Sequence, residues 1–348
     1  MQPVRETRVR PDERLKSLEI ALDEERMKEV FAPKAKARFG DRFEIRSIDI
    51  AVYRRHVNRC VVRYRIAGSN GDHAGEAQWG VIGKVLDAGA GERVHENMRR
   101  LWTHGFSRDA ADRVSMAEPL EYLPALSMML QEEVGGASVR NLLKQTREER
   151  HFRLAARAVA KLHRCPVWAG TARTVQDHLQ RCHPRYPFLA LACPHLAGPI
   201  ERIVEGALRI EERLSDVRFT PVHGDFHLGQ VHVDGDRAWL VDLDAFGYAD
   251  PASDLGNLIV FLKDKARRDA AVGALIAAFL DEYFSVMDRR IMDRIPLFEA
   301  LTHLRRACKS LRLQDAEWQQ RIERMIGAGI ASIEEMEQRF PCGNGRHP

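Results

Sequence analysis

The hydrophobic period of this chain changes partway along, and the change limits the folds open to it. Apolar and polar residues alternate through Phe43-Glu44-Ile45-Arg46-Ser47-Ile48-Asp49-Ile50-Ala51-Val52, and Cys60-Val61-Val62-Arg63-Tyr64-Arg65-Ile66 is rich in β-formers and followed by the turn Gly68-Ser69-Asn70-Gly71. With Trp79 to Leu86 these segments predict three strands joined by short turns, an antiparallel meander. Gly89 and Gly91 then precede a helix on which Val94, Met98, Leu101 and Trp102 share a face, and Leu126 to Leu130 reads as a further strand. Beyond Gly135-Gly136 the period becomes helical. Leu154, Ala158, Val159 and Leu162 form one stripe, and 254–262, 270–287 and 295–313 read as apolar-faced helices. The exception is a hairpin, Gln230 to Val233 and Ala238 to Val241, about Asp234-Gly235-Asp236. Strands first, helices after and one hairpin among the helices predict an α+β architecture of two lobes. The expected divisions are an N-terminal helical extension over 1–40, a sheet-bearing lobe with one helix over 41–134, a helical lobe over 135–340 and a flexible tail over 341–348.

Composition narrows the function classes. The 348 residues allow two units, and 45% apolar with 30% charged residues exclude a collagen-like, rod-like or wholly disordered chain. The longest apolar run, Ala270 to Leu280, is far short of the ~20 residues that cross a bilayer, so no membrane span is expected. The first sixteen residues alternate charge signs and lack the apolar stretch of a secretory signal, which makes the cytoplasm the default compartment. A net charge of +4, spread along the chain, predicts no nucleic-acid partner. Six cysteines form no CxxC pair, and the spacing of Cys182, His183, Cys193 and His195 matches no standard zinc site. Nothing in the sequence speaks to oligomeric state.

The densest chemistry is His223-Gly224-Asp225-Phe226-His227-Leu228-Gly229-Gln230, followed by Val241-Asp242-Leu243-Asp244. An Asp before a strand, an amide five residues later and two carboxylates after the return strand put oxygen-bearing side chains at one end of a short hairpin. Such a set suits Mg²⁺, which takes hard oxygen ligands and keeps its other positions for water and phosphate. The same aspartates also suit ordinary turns.

Taken together, HGDFHLGQV and the later LVDLDAFGYADPASDLGN resemble the phosphotransferase enzyme family, the aminoglycoside phosphotransferases and related small-molecule kinases of the protein-kinase-like fold. The family pattern is HGDxxxxN, a short hairpin, an ID dipeptide and then DPxxDL, and these pieces occur here in order. The resemblance implies a bilobal protein-kinase-like fold with an antiparallel-sheet N-lobe and a mainly helical C-lobe. It implies transfer of the γ-phosphoryl group of ATP or GTP to a hydroxyl of a small molecule such as a sugar or other polyol, with Mg²⁺. Asp225 matches the catalytic aspartate and Asp242 the metal-binding one. Gln230 stands where the family has Asn, offering the same amide one methylene further out, and Asp244 is a candidate additional metal ligand. Lys84, flanked by apolar residues on the third strand, fits the lysine that holds the α- and β-phosphates, with Glu96 as its expected partner and Glu92 as competitor. The segment Met128 to Val134 resembles the hinge that reads the adenine edge with backbone groups, with Glu132 and Val134 as the contacts.

Two familiar phosphate loops are absent. Gly83-Lys84 is followed by Val85, which excludes GxxxxGK[ST], and no GxGxxG occurs; the turn Tyr53 to Arg59 is arginine-rich instead. The missing glycine loop and Gln230 leave a second reading open, a nucleotide-binding scaffold without turnover. His223 and His227 are expected to order the catalytic loop, and Asp250 and Asp254 to cap the following helix and tie it to that loop. The run Arg305, Arg306, Lys309, Arg312 favours a neutral or anionic acceptor over a polycation, or is a solvated helix face.

Overall fold

A computed structural model of the chain describes Leu15 and residues 17–56, 58–71, 75–86, 89–168 and 170–341. The expected tail beyond 341, Val57 of the arginine-rich turn and residues 1–14 of the expected extension lie outside them. The described residues form two compact units. One runs to Gly136 and also takes Trp239–Asp244 from later in the chain; the other comprises Ala137–Ala238 and the residues from Ala245 onward. The expected helical lobe over 135–340 therefore surrenders the segment that carries Asp242 and Asp244 to the sheet-bearing unit.

In the first unit, helix α1 (Glu24–Phe39) precedes strands β1 (Glu44–His56), β2 (Arg59–Ser69) and β3 (Ala77–Leu86), helix α2 (Ala90–Leu101), and strands β4 (Pro119–Leu123) and β5 (Met128–Glu132). The strands make one antiparallel sheet in the order β1-β2-β3-β5-β4. Helix α1 begins where the Asp23 side chain accepts from the Arg26 N–H at 3.0 Å and carries Glu24 and Glu25 at its positive end, Lys36 and Arg38 at its negative end. Its Met27, Phe31 and Ala35 are fully buried against the sheet. The Phe31 ring lies 5.1 Å from that of Tyr64 and 6.0 Å from that of Trp79, edge to face in both cases, and the buried Tyr64 hydroxyl donates to the Ala21 carbonyl at 2.7 Å. The N-terminal helix is thus part of the core of this unit rather than an appendage.

The second unit is built on helices α3 (Glu149–Arg164), α4 (Val175–Gln180), α5 (Ala197–Arg213), α6 (Ala252–Ala266), α7 (Ala271–Phe284), α8 (Ile295–Leu313) and α9 (Trp318–Arg339). Helix α8 packs on α6 and α9, α3 on α7, and α5 on α9. The helices read from the apolar stripes are present: α8 coincides with its expected span 295–313, α7 lies within 270–287, and α6 runs past both ends of 254–262. Two short ladders position the motif loops. Thr220–Val222 pairs antiparallel with Gly247–Ala249, and Ala137–Ser138 pairs with His232–Val233. The loop 223–230 therefore leaves one ladder and enters the other, which fixes both of its ends. A sheet-bearing unit and a helical unit give the bilobal α+β fold expected from the sequence.

Candidate active site

Strand β3 carries Lys84 inward, opposite Val61 of β2 and Met129 of β5, with only 5% of the residue exposed. A lysine inside a sheet needs compensation. It comes from the late segment of the same unit: Lys84 Nζ lies 2.8 Å from Asp242 Oδ1 and 2.5 Å from Asp244 Oδ1. Arg59 Nη1 approaches the other oxygen of Asp244 at 3.5 Å. Burial alone would pull the ammonium down, but the two carboxylates outweigh it and hold Lys84 above its ordinary value. Burial pushes the Asp244 carboxyl up, and the charge of Asp242 adds to the push against the pull of Lys84. Asp242 sits at φ +62°, in the left-handed region that costs a non-glycine residue on the order of 1–3 kcal/mol.

The expected partner Glu96 does not meet Lys84, and neither does Glu92. Both are exposed on α2, opposite its buried face of Val94, Met98 and Leu101, where hydration serves a carboxylate better than burial. Among the described residues neither makes an ion pair.

At the end of β5, Glu132 is buried and its carboxylate lies between the guanidinium groups of Arg38 and Arg108. Its N–H donates to the Glu118 carbonyl at 2.9 Å, and the Glu133 N–H to the Gly80 carbonyl at 2.9 Å. The Val134 N–H makes no hydrogen bond among the described residues. Of the two expected hinge residues, Glu132 thus has its N–H and side chain already engaged, and Val134 retains a free donor. Met129 and Leu130 are completely buried.

In the second unit the loop that bears Asp225 is held from several sides. Asp254, on the first turn of α6 and 1% exposed, accepts from the backbone N–H groups of His223 at 2.7 Å and Gly224 at 2.8 Å. His163 of α3 contacts the same carboxylate through Nε2 at 3.1 Å and reaches the Tyr283 hydroxyl of α7 through Nδ1 at 2.7 Å. Burial alone would raise the Asp254 carboxyl, but its hydrogen bonds from His163 and His223 hold it below the usual range. Asp250 accepts from the Ala252 N–H at 2.9 Å and grips Arg294 through both carboxylate oxygens, at 2.5 and 3.1 Å. Asn257 donates to the Phe226 carbonyl at 2.8 Å.

His227 Nδ1 accepts from the Gly229 N–H at 3.0 Å with Arg140 at 3.1 Å, and burial, reinforced by Arg140, pushes this imidazole down to about 4. A neutral ring committed to its own loop has the ordering role expected of it. Gln230 is buried, with its N–H on the His227 carbonyl at 2.9 Å. Asp225 is the exposed member, with 46% of its side chain accessible.

Three arginines that no spacing rule singles out as a group complete the surroundings. Arg173 donates to the carbonyls of Ala245 at 2.9 Å and Phe246 at 3.2 Å. Its guanidinium fits only because positions 224 and 247 are glycine: a Cβ at Gly224, which has φ +79°, would come 2.7 Å from Nη1, and one at Gly247 would come 2.6 Å from Cζ. Arg181 donates to the Gly224 carbonyl at 2.6 Å. Arg305 donates to Asn257 Oδ1 at 2.5 Å and comes within 3.7 Å of Asp225 Oδ1. Arg173 and Arg181 stand alone in an irregular stretch, and only folding gives them a common target. The Cys182 thiol is hydrogen-bonded with Cys308, and His195 lies 3.3 Å from Glu323. Among the described residues no group of three or more His, Cys, Asp or Glu is arranged to hold a metal ion, and no helix is long and apolar enough to cross a membrane.

Comparison with known proteins bears on the fold and the family. No curated protein sequence matches the chain. Solved structures do. A choline/ethanolamine kinase family protein from Mesorhizobium loti matches with TM-score 0.56 and 18% identity over 79% of this chain and 88% of its own. An aminoglycoside phosphotransferase in ternary complex with AMP-PNP and hygromycin B matches with TM-score 0.57 and 13% identity over 89% and 98%. An amicoumacin kinase bound to AMP-PNP and Ca²⁺ gives TM-score 0.57 and 15% identity over 87% and 93%. At these identities the likeness is one of fold, the kinase-like fold of two lobes. The model of the phosphotransferase enzyme family matches residues 86–294, more than half of the chain and the whole of its motif region, so the chain belongs to the phosphotransferase enzyme family.

Proposed function

We propose that the chain transfers the γ-phosphoryl group of ATP, or of GTP, to a hydroxyl group of a small molecule. The observation that carries this is the buried Lys84, whose ammonium bridges Asp242 and Asp244 at 2.8 and 2.5 Å. A buried cation set against two carboxylates is suited to phosphate and a divalent ion, because each charge finds an opposite one when nucleotide binds. The structural relatives that hold AMP-PNP support ATP as donor.

Each residue then has a task. Lys84 meets the nucleotide phosphates as a point charge. The adenine edge is read at the end of β5 by the Val134 N–H and the Glu132 carbonyl. Asp225, the exposed carboxylate of a loop pinned by Asp254, orients the acceptor hydroxyl and takes its proton as the bond to phosphorus forms. Asp242 and Asp244 are hard donors suited to Mg²⁺ and already accept a positive charge together, and Gln230 is assigned the amide ligand from its place in the family motif. When bound, the ion neutralises phosphate charge. The arginine-rich turn contributes donors in place of a glycine loop, and Glu96 has no task in this scheme.

Asp225→Asn tests the assignment. Transfer falls about 10²–10⁴-fold while ATP affinity is retained, as expected for loss of a proton acceptor. Retained transfer with lost nucleotide affinity would remove Asp225 from the role. The alternative, a scaffold without turnover suggested by Gln230 in place of Asn, requires ATP to stabilise the chain without phosphate reaching any hydroxyl acceptor in a broad panel.

A further inference from the structure

Arg181 is a cation that pairs with no carboxylate among the described residues. Its guanidinium is largely enclosed and donates to the Gly224 carbonyl, and among the described residues it makes no ion pair. Burial, with Arg305 and Arg173 close by, lowers it to about 10 against the opposing pull of Asp225 and Asp254, so it remains charged at neutral pH. A carbonyl satisfies a donor but does not cancel a charge.

The nearby acids are committed elsewhere. Asp177 caps α4 through Thr174, Asp254 is engaged by the backbone of the Asp225 loop and by His163, and Asp225 is the exposed proton acceptor. The neighbouring His178 cannot help, because burial and the flanking arginines push it down to about 3 and leave it neutral. Among the described residues the buried His178 Nε2 and the Ser253 hydroxyl have no hydrogen-bond partner, and Ser253 is only 8% exposed. Both line a recess of about 20 Å³ with Arg181, Gly224, Thr302 and Arg305, large enough for one ligand oxygen or one water. On its other side Arg181 lines a cavity of about 570 Å³ together with Arg173, Arg185 and Gln180. Arg185 is exposed and likewise without a partner among the described residues.

We infer that the acceptor carries an anionic substituent, a carboxylate or phosphate monoester, which docks on Arg181 and Arg305 beside Asp225. The inference rests on Asp225 as the site of transfer and adds the charge class of the substrate. Guanidinium groups bind such oxyanions through paired hydrogen bonds, and an incoming anion supplies the counter-charge that Arg181 lacks. An acceptor bearing an ammonium group would instead face like charge.

The experiment uses the full chain and two arms. In the first, inorganic phosphate is titrated calorimetrically in the presence of saturating ADP, so that the nucleotide site is filled. One phosphate binds, and Arg181→Gln weakens it by about tenfold or more. If Arg181→Gln does not fold, Arg185→Gln serves, with a several-fold loss expected. Absence of phosphate binding, indifference to both substitutions, or competition of phosphate with ATP instead of with acceptor overturns the proposal; the last outcome would give the arginines to the donor phosphate.

In the second arm ADP release is measured with glycerol, glycerate, glycerol 3-phosphate and an aminopropanediol as acceptors. The anionic members are turned over with kcat/KM about tenfold or more above glycerol, and the amine is the poorest. Preference for the amine or for glycerol overturns the anionic site and leaves the transfer reading standing. Phosphate bound at Arg181 with no phosphoryl transfer to any acceptor, by contrast, overturns the transfer reading and keeps the site.

Discussion

Single residues carry the chemistry here through charges that would be costly alone. Lys84 is tolerable inside the sheet because Asp242 and Asp244 face it, and the two carboxylates are tolerable side by side because Lys84 separates them. Lys84→Met removes the cation and leaves two like charges. Asp244 moves further up, and ATP affinity measured by calorimetry falls about tenfold or more. Asp254 makes a second case. Its two oxygens satisfy two backbone N–H groups and a histidine, and each unmade bond costs about 1–3 kcal/mol. Asp254→Ala therefore lowers the denaturant midpoint more than Asp254→Asn, which keeps one acceptor oxygen, and both reduce turnover by loosening the Asp225 loop. Since folding lowers the Asp254 carboxyl, its contribution is complete above the ordinary carboxylate range and disappears as pH falls through the lowered value.

Among the elements, the strands and helices were legible where one face meets the core and the other meets water. The alternation from Phe43 onward became β1, and the stripe Leu154, Ala158, Val159, Leu162 became the buried face of α3. Helix α1 shows the limit of such reading. The expected division of the chain set it apart as an extension, yet Met27, Phe31 and Ala35 seat it on the sheet, because the rings of Tyr64 and Trp79 come from strands more than thirty residues later. Phe31→Ala is expected to cost about 3–5 kcal/mol, read as a fall in the melting temperature of the sheet-bearing unit. Glu96→Ala, at an exposed position of α2 that makes no ion pair among the described residues, by comparison changes stability little.

Across the molecule the helical unit holds histidines that folding keeps neutral. Burial pushes His178 down to about 3, and burial followed by the charge of Arg306 pushes His303 down to about 4. In the unfolded chain an imidazole titrates near 6.5. Between that value and the lowered ones the unfolded state binds more protons, so stability is complete above about pH 6.5 and declines on acidification by up to about 1.4 kcal/mol per pH unit for each group. The melting temperature of the wild type should fall from pH 7 to pH 5. His303→Leu should flatten that slope; an unchanged slope would assign the acid sensitivity to other groups.

The sequence by itself determined the two periods, the strands and helices that follow from them, and the motif residues Asp225, Gln230, Asp242 and Asp244, because each is encoded in neighbours a few positions apart. Tertiary structure alone decided that Lys84 pairs with Asp242 and Asp244 instead of Glu96, and that Arg173, Arg181 and Arg305 gather on the Asp225 loop. Those pairings join residues dozens to more than a hundred positions apart. They depend on which side chains burial deprives of water and which it leaves hydrated, and no local spacing records that competition.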